Sequence, residues 1–149
     1  MQATYHHVAR HRAEPEDLAV ACRLVGDSWS LPLVASLLDG PRRYTEIQEL
    51  LPGIAPNILT ARLRRLEQEG LIDSHRYSAR PPRFEYRLTT DGEGLADAIH
   101  VLAGWAGRRA TGEPAPTHAA CGTALETRWW CPACEVTASE EATESPIVV

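Results

Sequence analysis

Lysine is absent from this chain: all 15 cationic side chains of its 149 residues are arginine. A net positive charge is absent too. The formal value is −5, so a polyanionic partner cannot be read from the whole and has to be sought locally. No apolar run approaches the ~18 residues that a membrane helix needs. The opening MQATYHHVAR is polar and lacks the apolar stretch of a secretory leader. These gaps lead to the expectation of a cytoplasmic protein with no membrane partner, whose cysteines are reduced or metal-bound rather than paired. No nucleophile–base set, phosphate-cradling glycine loop or internal repeat is visible, which argues against an enzyme and against a repeat architecture.

What is present is a charge that splits by segment. Between Arg42 and Arg87 lie nine arginines (42, 43, 62, 64, 65, 76, 80, 83, 87) and six acids (46, 49, 67, 69, 73, 85), a local net of +3. After Cys134 there are four acids and no base. The basic stretch is a candidate footprint for nucleic acid.

Periodicity places the elements. Pro15, Glu16 and Asp17 suit a first helical turn, and Leu18, Ala21, Cys22 and Val25 recur as an apolar face that Gly26 ends. A second helix is expected over 28–38, with Trp29, Leu33, Leu37 and Leu38 buried. Thr45 to Gln48 reads as a capping box opening a third helix, whose apolar face is Ile47, Leu50 and Leu51. A fourth runs from Pro56 to Gly70 on a stripe of Leu59, Leu63 and Leu66. Its opposite face, Asn57, Thr60, Ala61 and Arg64, is polar and mostly small, made of side chains suited to base edges. Arg62 and Arg65 flank the stripe, suited to support or phosphate contact. Residues 71–77 and 83–89 read as a hairpin with Phe84, Tyr86 and Leu88 inward and a stiff basic tip around Arg80. A long helix over 91–107 carries two apolar stripes. Leu95, Val101 and Trp105 are the candidates for a contact with a second copy of the chain.

In this order the residues resemble the HxlR family of winged-helix transcription regulators. The carrying pieces are Gly26-Asp27-Ser28-Trp29, Gly40-Pro41-Arg42-Arg43-Tyr44, Leu51-Pro52-Gly53-Ile54, Leu59 to Leu66, Glu69-Gly70-Leu71, Pro82 to Thr89, and Trp105. The resemblance implies a homodimer on a near-palindromic DNA operator, with the helix over 56–70 in the major groove and a wing at 78–83. The expected DNA-contacting residues are Arg42, Arg43, Asn57, Thr60, Arg62, Arg64, Arg80 and Arg83. Many members are thiol sensors. The position of their reactive cysteine is Glu16 here, and Cys22 is expected to pack as a small hydrophobe with a raised pKa, indifferent to oxidants.

After a linker at 108–117, His118-x2-Cys121-x9-Cys131-x2-Cys134 offers four ligands in two tight pairs, the pattern of a closed Cys3His zinc site. So short a segment would draw its folding energy from one structural Zn2+. A dithiol redox pair at Cys131 and Cys134 is the competing reading. The expected organisation is an arm over 1–13 (its His6, His7 and His11 read as loose), a mainly α, α+β winged-helix domain over 14–107, the linker, a zinc-ribbon-like module over 118–136 and an acidic disordered tail over 137–149. The competing functions are a ligand- or zinc-responsive sensor, with a small-molecule effector held near Trp29 and Trp105, and a protein-interaction adapter that has lost DNA.

Overall fold

The structure, a computed structural model, describes residues 14–79, 82–112, 114, 116–133 and 135–138. In chain order the elements are α1 (Pro15–Val25), α2 (Ser30–Ser36), β1 (Arg42–Arg43), α3 (Tyr44–Leu50), α4 (Pro56–Gln68), β2 (Ile72–Ala79), β3 (Pro82–Leu88), α5 (Thr90–Glu93), α6 (Ala96–Thr111), β4 (Trp129–Cys131) and β5 (Val136–Ala138). Contacts divide the chain into Glu16–Glu113 and a second unit whose described residues are Glu14, Pro15 and those between Pro114 and Ala138.

The core of the first unit is aliphatic. Leu33 and Leu37 come from α2 and its end, Ile47 and Leu51 from α3 and its end, and Leu59, Leu63 and Leu66 from α4. Leu71 and Ile72 lead into the wing, and Ile99 seals the core from α6. The α4 stripe follows the helical repeat at i, i+4 and i+7, so one face is apolar and the rest of the helix is free for other tasks. Three antiparallel strands in the order β1-β3-β2 complete a winged helix.

Several expectations change. The apolar stripe of α1 is not core: Leu18 is 62% exposed, Cys22 is exposed, and only Val25 at its end is buried. Residues 14–20 are all exposed, so the periodic pattern finds no partner there among the described residues. The reading of Cys22 as a buried thiol is therefore corrected. Helix α3 opens two residues earlier than a Thr45 cap allows. Arg43 is its N-cap, and the Arg43 N–H donates to Glu46 Oε2 at 2.6 Å. Leu50, in its last turn, is exposed.

The helix expected over 91–107 is broken. Thr89 caps the single turn α5 by accepting the Gly92 N–H at 3.1 Å, and its hydroxyl donates to Gly70 O at 2.6 Å. The turn lies so close to the α4–β2 corner that a Cβ on Gly92 would sit 2.0 Å from Leu71 O. After Gly94 the chain restarts as α6 and continues to Thr111, so residues 108–111 are helix rather than linker. Arg108 and Arg109 in its last turn suit the negative end of the helix dipole. Leu95, expected at a dimer contact, is half-buried against the domain's own core, whereas Leu102 is exposed.

Candidate nucleic-acid interface

Helix α4 presents three faces. Leu59, Leu63 and Leu66 are buried. Asn57, Ala61 and Arg64 are exposed at i, i+4 and i+7. Arg62 and Arg65 occupy the flank between, both half-buried. Thr60, expected on the outer face, is half-buried, and its hydroxyl donates to Pro56 O at 2.9 Å. The Tyr44 hydroxyl donates to the same carbonyl at 2.9 Å and lies 3.4 Å from Thr60 Oγ1. Tyr44 thus braces α3 on the first turn of α4 and fixes the angle of the helix–turn–helix. Ala55, the α4 N-cap, supplies no capping side chain, which leaves first-turn N–H groups for solvent or a ligand.

The arginines divide by task. Arg42 donates from Nε to Ser36 O at 2.6 Å and lies 3.5 Å from Asp39, tying the end of α2 to β1. Arg62 lies 3.1 Å from Asp27, and Arg65 donates to Arg23 O. Arg76 closes on the wing, donating to Ser78 O at 3.0 Å and Ala79 O at 2.6 Å. Arg43, Arg64, Arg83 and Arg87 are exposed. Of the sequence-expected contacts, the structure leaves Arg43, Asn57, Arg64 and Arg83 facing outward, and it engages Arg42, Thr60 and Arg62 within the fold. Arg80 lies outside the described residues.

The wing pairs Arg76 with Phe84 and Ser78 with Arg83, so Tyr77 is the extra residue of a bulge. Bulges re-aim the side chain they carry. Here the Tyr77 ring lies under the Arg43 guanidinium, 4.8 Å from centroid to Cζ, joining the wing to the start of α3. Phe84, expected inward, is 42% exposed, because the outer half of a two-stranded wing has no core to cover. Between wing and α3 runs a groove of about 460 Å³ lined by Arg43, Tyr44, Tyr77, Arg83, Phe84 and Tyr86, with no carboxylate among the described residues of its wall. Burial, with Glu67 and Tyr44 nearby, raises the Tyr86 pKa against the opposing pull of Arg64, so the phenol remains a donor at neutral pH. A smaller groove of about 180 Å³ lies by Leu38, Arg87 and Leu88. Neither groove is lined by Trp29 or Trp105, where an effector cavity is expected from the sequence. Tyr44, Tyr77 and Arg76 escape sequence reasoning, since only the bulge and the helix crossing give them a role.

Known proteins match this arrangement. Residues 24–113 match the family described as HxlR-like helix-turn-helix. The chain belongs to that family. An uncharacterized HTH-type transcriptional regulator of Mycobacterium tuberculosis (strain ATCC 25618 / H37Rv) is 39% identical over 134 residues, covering 86% of this chain and 84% of that protein. Among solved structures, a MarR-family transcriptional regulator from Porphyromonas gingivalis W83 superposes with a TM-score of 0.59 at 28% identity, over 66% of this chain and 96% of that one. The reduced form of the transcriptional regulator YodB from B. subtilis gives 0.57 at 28% identity, over 69% and 100%. This HxlR-like chain is a helix-turn-helix transcriptional regulator and not an enzyme. Among the described residues no single helix is long and apolar enough to cross a membrane.

The second unit is a small hairpin structure. An isolated bridge joins Thr117 to Ala124, and β4 pairs with β5 in the register Cys131 to Val136. His118 O accepts the N–H groups of Cys121 at 3.2 Å and Gly122 at 2.8 Å. That tight turn sets His118 Nδ1 3.4 Å from Cys121 Sγ. Hydrogen bonding with the Thr123 side chain and backbone lowers the Cys121 pKa. The residue after each second ligand is left-handed: Gly122 at φ 70° and Glu135 at φ 54°. Cys134 lies outside the described residues. Among the residues that are described, no three ligand-type side chains converge.

Proposed function

We propose that this chain acts in the cytoplasm as a homodimer that binds a near-palindromic DNA operator, with α4 in the major groove. The observation that carries the reading is the outer face of α4. Asn57 and Arg64 stand on it with small Ala61 between them, exposed and with no hydrogen bond or ion pair among the described residues. Asparagine pairs with the adenine edge and arginine with the guanine edge, while the small residue permits close approach. Arg43 and Arg83 flank this face from the wing side and are suited to phosphate, with Arg80 of the wing tip as a further candidate. The two-fold partner is assigned to α6 through Val101 and Trp105, both exposed apolar residues.

Footprinting on the promoter beside its own gene, followed by binding to the protected duplex, tests this. Asn57→Ala and Arg64→Ala should each cost roughly 1–3 kcal/mol and relax the preference at one or two bases. An unchanged preferred sequence in both variants refutes the assignment of the reading face.

For the second unit, His118, Cys121, Cys131 and Cys134 are proposed to hold one structural Zn2+. A tetrahedral ion at ordinary Zn–N and Zn–S lengths separates its nitrogen and sulfur ligands by about 3.5 Å. The His118–Cys121 separation of 3.4 Å fits that edge. The repeated left-handed residue after each pair supports two equivalent knuckles. The metal would supply folding energy to a segment with little core of its own. Release from DNA in response to a small-molecule effector or to zinc loss remains the second reading, with the metal site as its support.

A further inference from the structure

The Gly26-Asp27-Ser28-Trp29 corner carries an acid that lies outside the proposed DNA-contacting set. Asp27 Oδ1 accepts the N–H groups of Trp29 at 2.9 Å and Ser30 at 3.1 Å, and Oδ2 accepts the Ser30 hydroxyl. Ser30 is fully buried. The same Oδ1 lies 3.1 Å from Arg62 Nε, on α4, and both side chains are largely sheltered. The Arg62 N–H is buried and not aligned on the carboxylate, so the contact is held by charge rather than by a directed bond. Burial disfavours the charge on Asp27, but Ser30, Trp29 and Arg62 together outweigh it, leaving the pKa below the usual carboxylate value. The acid is thus a fixed anion aimed at one flank of α4. Three residues on, Arg65 donates to Arg23 O at the end of α1. Two tethers therefore hold the same flank, less than one turn apart.

We infer that Asp27 is a positioning residue for base reading: through Arg62 it sets the roll of α4 about its own axis, so that Asn57 and Arg64 face the duplex together. The inference rests on the proposed reading face. The physical reason is that the core contact of α4, three leucines with half-buried Ile58 beside them, is non-directional, while the hydrogen bonds from Tyr44 and Ser74 hold its two ends. A helix on such a stripe can roll by some degrees at small cost. A fixed charge on its flank removes that freedom. Arg62 then acts from inside the fold and makes no phosphate contact of its own.

The test uses the full chain and a duplex selected by the wild type from a random pool. Affinity for the selected and for a random duplex is measured across salt, and amide exchange of α4 is followed in the free protein. Asp27→Asn and Arg62→Gln should each lower the ratio of selected to random affinity by about tenfold or more, the discrimination carried by one good base contact. The salt slope should not change, exchange should quicken in α4 but not in β2 and β3, and Arg62→Lys should restore part of the ratio. Arg62→Gln leaves the Asp27 bonds to Trp29 and Ser30 in place, so it carries the test if Asp27→Asn does not fold. A slope lowered by about one per chain in Arg62→Gln would make Arg62 a phosphate contact and overturn the inference. Tighter DNA binding by Asp27→Asn, or an unchanged ratio in both variants, would overturn it as well. Should the wild type select no sequence at all, the reading face itself fails, and unchanged α4 exchange in both variants would then separately remove the tether.

Discussion

Replacing Trp105 with alanine tests the dimer most directly. Trp105 is 54% exposed in the single chain, and Val101 and Leu102 beside it are 47% and 49% exposed. The three make an uncovered apolar stripe on α6, where a soluble monomer would carry polar side chains. Tryptophan presents roughly 200 Å² of surface, so about 100 Å² remains to be buried by a partner. At about 25 cal/mol per Å² this is worth about 2.5 kcal/mol per protomer. A two-fold contact uses the patch twice, so Trp105→Ala removes about 5 kcal/mol, more than three orders of magnitude in dimer Kd. The Arg109 guanidinium, 5.5 Å over the ring, loses its stacking partner, a smaller effect at an exposed site. Sedimentation equilibrium reads the result: a wild-type dimer at micromolar concentration and a largely monomeric variant, with helical circular dichroism preserved. Operator affinity should fall with it, because one half-site alone supports only weak binding. A monomeric wild type, or a variant with an unchanged dimer constant, refutes the reasoning.

Arg83→Ala should weaken binding to all duplexes alike and lower the slope of log affinity against log salt by about one per chain, read by titration at several salt concentrations. Gly92→Ala should destabilise the domain by roughly 1–3 kcal/mol, since its Cβ would meet Leu71 O at 2.0 Å and backbone must move; urea unfolding checks this, and a midpoint within error of wild type contradicts the close approach. Native mass spectrometry should find one zinc per chain. A chelator should expose residues after about 117 to protease while sparing α3, α4 and the wing, whereas a zinc-free chain with a Cys131–Cys134 disulfide would point to redox use instead.

How much was legible depended on how local each cause is. The α4 stripe of Leu59, Leu63 and Leu66 is a periodic signal with a single packing solution, and it appears in the structure as read. The β2–β3 alternation was legible as a hairpin but not as burial: Phe84 follows the pattern and still faces water, because burial needs a second layer that the outer wing lacks. The stripe of α1 fails for the same reason within one chain. The break at Gly94 was hidden because Thr90–Glu93 carry no apolar residue whose spacing could show it, while Leu95, Ile99 and Leu102 keep one helical period from there on. Nor could the Thr45 capping signal compete with a Glu46 carboxylate that closes on the Arg43 N–H instead.

The arginines were the least legible, for a physical reason. Which guanidinium is free depends on partners far along the chain. Arg62 meets Asp27 and Arg65 meets Arg23 O across 35 and 42 residues, and Arg42 reaches back to a helix-end carbonyl. Charge counting treats all nine alike. Among the described ones, the fold engages Arg42, Arg62, Arg65 and Arg76 with acceptors and leaves Arg43, Arg64 and Arg83 exposed, with Arg87 exposed beside Asp73 at 3.8 Å. Arginine suits both duties because its five donors form a rigid planar fork, weakly hydrated, whereas lysine offers a compact, strongly hydrated charge. Arg76 uses the fork on two successive wing carbonyls, at Nε and a terminal nitrogen together. In a chain without lysine, one side-chain type therefore builds the scaffold of the interface and also supplies the charge on its surface.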